Sequence, residues 1–253
     1  MSTRVPVGEQ LRGWRERRGL SQLAVSAETG VSTRHLSWVE TGRSRPSAAM
    51  VLRLADHLDV PLRDRNGLLL AAGHAPVHSE HALDDPEVAA VAEAMTTILD
   101  AHRPYPALVL DRRWRVVAAN DAVAPLLVGC AEELLAPPID VLRLTLDAGG
   151  LAPRIVDLPT WRAHLLGRVR RRHRATGDAD LRAVLAEFDR FPDEAPAPTD
   201  PVVLLRLRVG DAVVSLFSMS AAVQTAGDIT VEELAVELFF PADDETRAWF
   251  TAR

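Results

Sequence analysis

Residues 33–38 bring together Thr33, Arg34, His35, Ser37 and Trp38, that is, two hydroxyls, a guanidinium, an imidazole and an indole. They can donate and accept hydrogen bonds and can stack, but they hold no set of nucleophile, base and orienting group. The chemistry they suit is recognition of base edges. An arginine fork matches O6 and N7 of guanine, while hydroxyls and apolar groups meet the other bases. A helix that only fills a core has no use for these side chains at its front. Just downstream, Arg43, Ser44 and Arg45 supply donors of the kind that grip phosphate without reading sequence.

Such residues need an element that points them outward, and the flanking sequence provides one. Gly30 is free to take the positive φ of a tight turn, and Ser32 suits the N-cap of a short helix. Val31, Leu36 and Val39, at i, i+5 and i+8, hold that helix from behind. Thr33, Arg34, Ser37 and Trp38 are left on its outer side, with His35 at the edge. Trp38 has two readings, contact with a thymine methyl or packing on the loop at Gly42. The neighbouring chain reads as four more short helices. Val7, Leu11 and Trp14 share a face of the first, which ends at Gly19. Ser21 caps the second, and a fourth follows Pro46-Ser47 and buries Val51, Leu54, Ala55 and Leu58. "VPLRDRNGLLLAAG" forms the fifth. Loops this short predict compact, crossed packing over residues 1–76.

At 253 residues the chain suits two domains. Its formal charge of −6 is unevenly placed. Residues 1–76 hold 11 Arg against 7 acids (+4), and residues 77–253 hold 18 Arg against 28 acids (−10). A polyanion is attracted to the first part and repelled by the second. Every basic residue is arginine, a bias of a GC-rich genome. Cys130 is the single cysteine, so no internal disulfide forms, and the expected home is a reducing cytoplasm. No apolar run approaches the roughly 18–20 residues that span a bilayer, and the start of the chain lacks the apolar core of a secretory signal.

Residues 77–104 read as a linker and a connecting helix. "HAPVHSEHALDDP" (74–86) is flexible, and Val88, Val91, Ala92, Met95, Ile98 and Leu99 then share a helix face. From residue 105 the period changes. "ALVLD" and "WRVVAAN" are strands around a tight turn, and a long, mostly helical insertion follows. "RFPDEAPAPTDP" is a proline-rich connection. "VVLLRLRV" and "AVVSLFSMSAAV" make a hairpin, "EELAVELFF" a fifth strand and "DDETRAWF" a closing helix. The result is an α+β domain with a five-stranded antiparallel sheet covered on one side by helices, whose apolar concave face is a natural small-molecule pocket. Trp114, Trp161, Phe217 and Phe239 are its candidate apolar lining, and each also suits an ordinary core role. Arg154 and His164 could meet an acidic head group, or lie in solvent.

Enzyme signatures are missing: no G-x-S-x-G, P-loop or H-E-x-x-H occurs, so neither catalysis nor a cofactor is expected. His74, His78 and His81 are spaced almost well enough for zinc but lack cysteine support, and no metal is expected. "GRVRRRHRATG" (167–177) is a basic run that reads as a solvated helix face, with a backbone contact or dimer contact as the alternatives.

The stretch "GLSQLAVSAETGVSTRHLSWVETGRSRPS" resembles the Xre-type helix-turn-helix family. That resemblance implies that Gln22 clamps a phosphate, that Thr33, Arg34 and Trp38 read bases, and that Arg43, Ser44 and Arg45 touch the backbone. It also implies a structural ion pair between Arg15 and Glu40. "PYPALVLDRRWRVVAAN", "LAPRIVDLPTWRAHLLGRVRR" and "AVELFFPADDETRAWF" resemble the C-terminal domain of MmyB-like regulators. This second resemblance implies a PAS-like fold over residues 105–253 with a cavity for an apolar ligand, a long-chain fatty acid being the leading candidate. The expected whole is a bacterial, cytoplasmic, homodimeric regulator that binds double-stranded DNA at a pseudo-palindromic operator. The rival reading keeps the DNA-binding domain but makes the second domain a dimerisation module without a ligand.

Overall fold

Val7, Leu11 and Trp14 lie along one side of α1 (Val7–Arg17), the first of five helices that close around a single apolar core. The others are α2 (Gln22–Thr29), α3 (Thr33–Glu40), α4 (Ala48–His57) and α5 (Leu62–Ala71). Serine caps start three of them. Ser21 Oγ accepts from Ala24 N at 3.1 Å, Ser32 Oγ from His35 N at 3.2 Å, and Ser47 Oγ from Met50 N at 3.3 Å. Each cap satisfies an amide that the first helical turn leaves unpaired. Gly30 ends α2 at φ 70° and turns the chain into α3. The computed structural model describes residues 5–188, 202–223 and 226–252. It divides into a unit running to His81, with 174–177 and 225–232 added, and a second unit formed by the remainder.

Close approach of α1 to α3 depends on Gly8. A Cβ there would lie 2.2 Å from the Val39 carbonyl oxygen and 2.9 Å from that of Glu40. Alanine is intrinsically better than glycine inside a helix by about 1 kcal/mol, yet here it must push backbone aside. Gly8→Ala should therefore destabilise this unit by about 1–3 kcal/mol in a denaturant titration. A variant as stable as the parent would contradict the contact.

The stretch read as a flexible linker is tied down over residues 74–81. A ring nitrogen of His74 lies 2.9 Å from the Pro46 carbonyl, and Asn66 bonds the backbone of Val77 and His78. His81 Nδ1 meets Asp228 Oδ2 at 2.9 Å. The rings of His74 and His81 thus have different partners, and no cluster of three metal-ligating side chains occurs among the described residues.

In the second unit, α6 (Ala89–Ala101) precedes β1 (Ala107–Leu110) and β2 (Val116–Ala119). The helical insertion follows as α7 (Ala124–Leu127), α8 (Glu132–Leu135), α9 (Val141–Leu146), α10 (Leu158–Thr176) and α11 (Ala179–Phe188). The hairpin is β3 (Leu205–Val209) and β4 (Ala212–Ala222); α12 (Ile229–Glu233), counted with the first unit up to Glu232, comes next, and β5 (Ala235–Pro241) and α13 (Asp244–Thr251) complete the second. The proline-rich connection expected over 190–201 lies outside the described residues. All pairings are antiparallel, in the order β2-β1-β5-β4-β3. Along β3, Leu205 and Leu207 are buried while Arg206 and Arg208 face water, the alternation of a sheet with one wet face.

The centre of the sheet departs from that expectation. Every residue of β1 is buried. Leu108 and Leu110 join a core with α9, α10 and α11, whereas Ala107 and Val109 pack with Met95 and Leu99 of α6 and Val236 of β5. The helix thought to connect the domains therefore covers the reverse face of β1 and β5, and the sheet is not one-sided there. Ile98, assigned to the apolar face of that helix, is 43% exposed, because the contact stripe is narrower than the pattern suggested. Glu232 and Glu233 belong to α12 instead of opening the fifth strand.

Candidate nucleic-acid interface and ligand cavity

On α3 the buried side is Leu36, Val39 and Glu40, and Val31, just before the helix, continues it. Ser32, Thr33, Arg34 and His35 are exposed, Ser37 is half-buried, and Trp38 is 38% exposed. The Arg34 guanidinium lies over the Trp38 ring, 4.5 Å from its centroid. That stack restrains a flexible cation on the outer face without using its hydrogen-bond donors. The i, i+4 spacing that permits it was visible in the sequence. Trp38 also organises the following loop, since its carbonyl accepts from Arg43 N at 2.8 Å and Ser44 N at 3.1 Å. Ser44 Oγ lies 3.4 Å from His35 Nε2. The result is a polar, cationic ridge made of the front of α3 and the loop after it, with Arg43 exposed at its tip.

Two residues assigned to phosphate contact also make hydrogen bonds within the protein, from a half-buried Gln22 and an exposed Arg45. Gln22 Nε2 donates to Glu40 Oε2 at 2.8 Å, and Arg45 Nε donates to the Ala72 carbonyl at 2.7 Å. Arg45 thus braces the end of α5. Behind them, Arg15 Nε and Nη2 hold Glu40 Oε1 and Oε2 at 2.7 and 2.9 Å.

Between the sheet and its helices is a cavity of about 140 Å³. Its wall is almost wholly apolar and includes Leu108, Leu110, Trp114, Trp161, Leu165 and Phe239. Trp114 is held in the β1–β2 turn at φ 64° while 6% exposed, a conformation that bulky side chains rarely adopt. One ion pair interrupts the apolar wall. Arg168 Nη1 and Nη2 donate to Glu237 Oε1 and Oε2 at 2.5 and 2.7 Å, and the same guanidinium lies 4.9 Å from the Trp114 ring centroid.

Comparison with known proteins decides the family. The model of the MmyB-like transcription regulator ligand binding domain matches residues 91–252, and that of a helix-turn-helix domain matches residues 6–68. The chain belongs to the MmyB-like transcription regulators. No curated protein matches the sequence. The two matches describe a DNA-binding transcriptional regulator with a ligand-sensing domain.

Within the MmyB-like domain, the cavity gathers Trp114, Trp161 and Phe239 from three separate stretches of sequence. The other three candidates lie elsewhere. Arg154 Nη2 donates to the Leu126 carbonyl at 2.9 Å and approaches Cys130 Sγ at 3.2 Å, so its charge closes the α7 end instead of facing the cavity. His164 stacks on Trp161, with centroids 5.3 Å apart. Burial, helped by Arg168 and Arg171, lowers its pKa from the ordinary histidine value, and it is not part of the cavity wall. Phe217 stacks on its cross-strand neighbour Phe240 at 5.4 Å. The residues that sequence reasoning missed are Arg168 and Glu237. Arg168 was hidden in a run of arginines, yet it follows Trp161 and Leu165 at i+7 and i+3, on the apolar face. Glu237 alternates with Val236 and Leu238 on β5, and it became a buried residue only because both faces of that strand are covered.

Proposed function

We propose that α3 is the recognition helix of a sequence-specific regulator whose affinity for DNA changes when the cavity is filled. The observation that carries the DNA half is the exposed Thr33–Arg34–Trp38 face, laid over a buried apolar back. An α-helix of this kind enters the major groove with its N-terminal residues against base edges. Arg34 takes guanine O6 and N7, worth about 1–3 kcal/mol of discrimination. Thr33, His35, Ser37 and Trp38 complete the base-facing set, while Ser32, Arg43 and Ser44 sit beside the phosphates. Gln22 and Arg45 reach phosphate with the donors that Glu40 and Ala72 leave over. The protein works as a homodimer on a pseudo-palindromic operator, with half-sites about 34–36 Å apart. With DNA as partner it acts in the cytoplasm, and no helix among the described residues is long and apolar enough to cross a membrane.

The cavity favours ligand sensing over a domain that only dimerises, since a core without a ligand is packed close to crystal density. Ligand acts by binding the DNA-competent and incompetent arrangements unequally. A long-chain fatty acid remains a candidate with one restriction. A cavity of about 150 Å³ holds benzene, so a long acyl chain enters this one fully only if the walls move.

Paired substitutions test the DNA assignment. Arg34→Ala should relax base choice at one position of each half-site and leave binding to random DNA nearly unchanged. Arg43→Ala should weaken all DNA alike and reduce the salt slope by about 1. Operators selected from a random pool and titrated across salt concentrations give both readouts. Equal losses on specific and random DNA for the two variants would refute the division of roles.

A further inference from the structure

Two stretches of later chain belong to the first unit, 174–177 and 225–232, and hydrogen bonds fix both of them there. The first is the last turn of α10 with the glycine that follows. Ala175 presents its carbonyl to Arg18 Nη1 at 3.0 Å. The same guanidinium holds the Leu58 and Asp59 carbonyls at 2.8 and 2.7 Å through Nε and Nη2, so one cation collects the C-terminal ends of α4 and α10. Carbonyls at a helix end have no partner within the helix, and its dipole favours a positive charge there. The second stretch opens α12. Asp228 Oδ2 accepts from the His81 amide at 3.1 Å, and Ile229 N donates to the Ser79 carbonyl at 2.9 Å. Pro61, the N-cap of α5, makes no side-chain cap. Glu232 Oε2 takes that role and accepts from Leu62 N at 2.8 Å, a carboxylate at the positive end of a helix.

Both stretches continue elements of the cavity wall. α10 brings Trp161, Leu165 and Arg168 to the cavity, and β5 brings Glu237 and Phe239. In that wall the Arg168–Glu237 pair ties α10 to β5. Ala175 follows Arg168 by two helical turns, about 10 Å of rise, and Glu232 precedes Glu237 by five residues. A helix is rigid over that length, so a ligand that wedges α10 from the sheet also displaces the Ala175 carbonyl. Arg18 lies three residues beyond Arg15, which holds Glu40 at the end of α3. Helix ends and their hydrogen bonds thus form a continuous chain from the cavity wall to the base of α3.

We infer that the state of the cavity is transmitted to α3 through two anchors: Arg18, which grips the end of α10, and Glu232, which caps α5 from the segment leading into β5. This rests on the cavity being the ligand site and on α3 binding DNA, and it names how the first controls the second. A ligand changes DNA affinity only as far as it strains or relaxes these anchors.

A cavity-filling substitution stands in for a ligand in the test. Leu165→Phe adds bulk to the cavity from α10. Operator affinity of the full-length protein is measured with and without it, in the parent and in the anchor variant Arg18→Met, Glu232→Ala. In the parent, Leu165→Phe should change operator affinity by about 5-fold or more, the lower end of ordinary allosteric coupling. With both anchors cut the change should fall below about 2-fold, a non-additivity that the double-mutant cycle reads directly. Val51→Ala loosens the apolar core of the same unit and removes none of these hydrogen bonds, so in that background the response should persist. Should Leu165→Phe fold poorly, Leu144→Phe fills the same cavity from α9. A response that survives loss of both anchors, or one that Val51→Ala also abolishes, overturns the anchors and leaves a ligand-responsive regulator standing. Unchanged operator affinity in the parent on filling the cavity removes the inference together with control of DNA binding by this cavity.

Discussion

Glu40→Ala should destabilise the helical unit by about 3–5 kcal/mol, the cost of leaving a buried partner charge uncompensated. Glu40 ends α3, where a negative charge opposes the helix dipole. What holds it there is three donors on two oxygens: Arg15 Nε and Nη2, and Gln22 Nε2. Its side chain is 1% exposed and that of Arg15 is 11% exposed, so little water is available to replace the lost carboxylate. Arg15 would keep its bond to the Leu20 carbonyl, at 2.8 Å, and a long ion pair with the half-exposed Glu16, at 3.8 Å. The pair joins α1 to the base of α3, so the variant should also lose operator affinity, by reorienting a helix whose contacting residues are unchanged. Native-state hydrogen exchange of α1 and α3 amides in the full chain measures the first effect, and DNA titration the second. Glu40→Gln, which keeps shape and loses charge, should fall between the parent and the alanine variant. A loss below about 1 kcal/mol for the alanine variant, the range of an exposed ion pair, would show that the pair is dispensable.

Glu237→Ala should have an effect of similar size, about 3–5 kcal/mol, in the second unit. Here the stranded charge is Arg168, whose carboxylate partner is buried beneath the cavity. Because the geometry is bidentate and the surroundings are apolar, the charge on either partner is tolerated only while the other is present. The double variant Arg168→Met, Glu237→Leu should therefore recover most of the loss, since a well-packed apolar pair often replaces a buried ion pair without penalty. Exchange protection of α10 and β5 amides gives both numbers. If single and double variants are equally destabilised, packing of the stems and not pairing of the charges holds α10 to the sheet.

Much of the helical unit could be read from neighbouring residues. Ser21, Ser32 and Ser47 cap amides three positions away, Gly30 makes its own turn, and the buried residues of α3 follow the helical period. The outward direction of Thr33 and Arg34 follows from the same local rule, and the stack of Arg34 on Trp38 is also local. Engagement of Gln22 and Arg45 was not legible, because their partners Glu40 and Ala72 lie 18 and 27 residues away.

For the second unit, the succession of strands along the chain and the β3–β4 hairpin could be foreseen, whereas the chemistry of the cavity could not. Arg168 and Glu237 are 69 residues apart. Their meeting depends on β5 pairing with β1, on the register of that pairing, and on α6 covering the opposite face. Arg154 turned to the Leu126 carbonyl and Phe217 to Phe240 for the same reason. By itself, then, the amino-acid sequence determined the five short helices and their three serine caps, the outward face of α3 and the alternation along β3. Tertiary structure alone decided which aromatic rings surround the cavity and which charge sits in its wall. Caps and periodicity are satisfied within a turn or two of chain. A buried polar group instead takes its partner from whichever distant segment the packing of sheet and helices brings within about 3 Å.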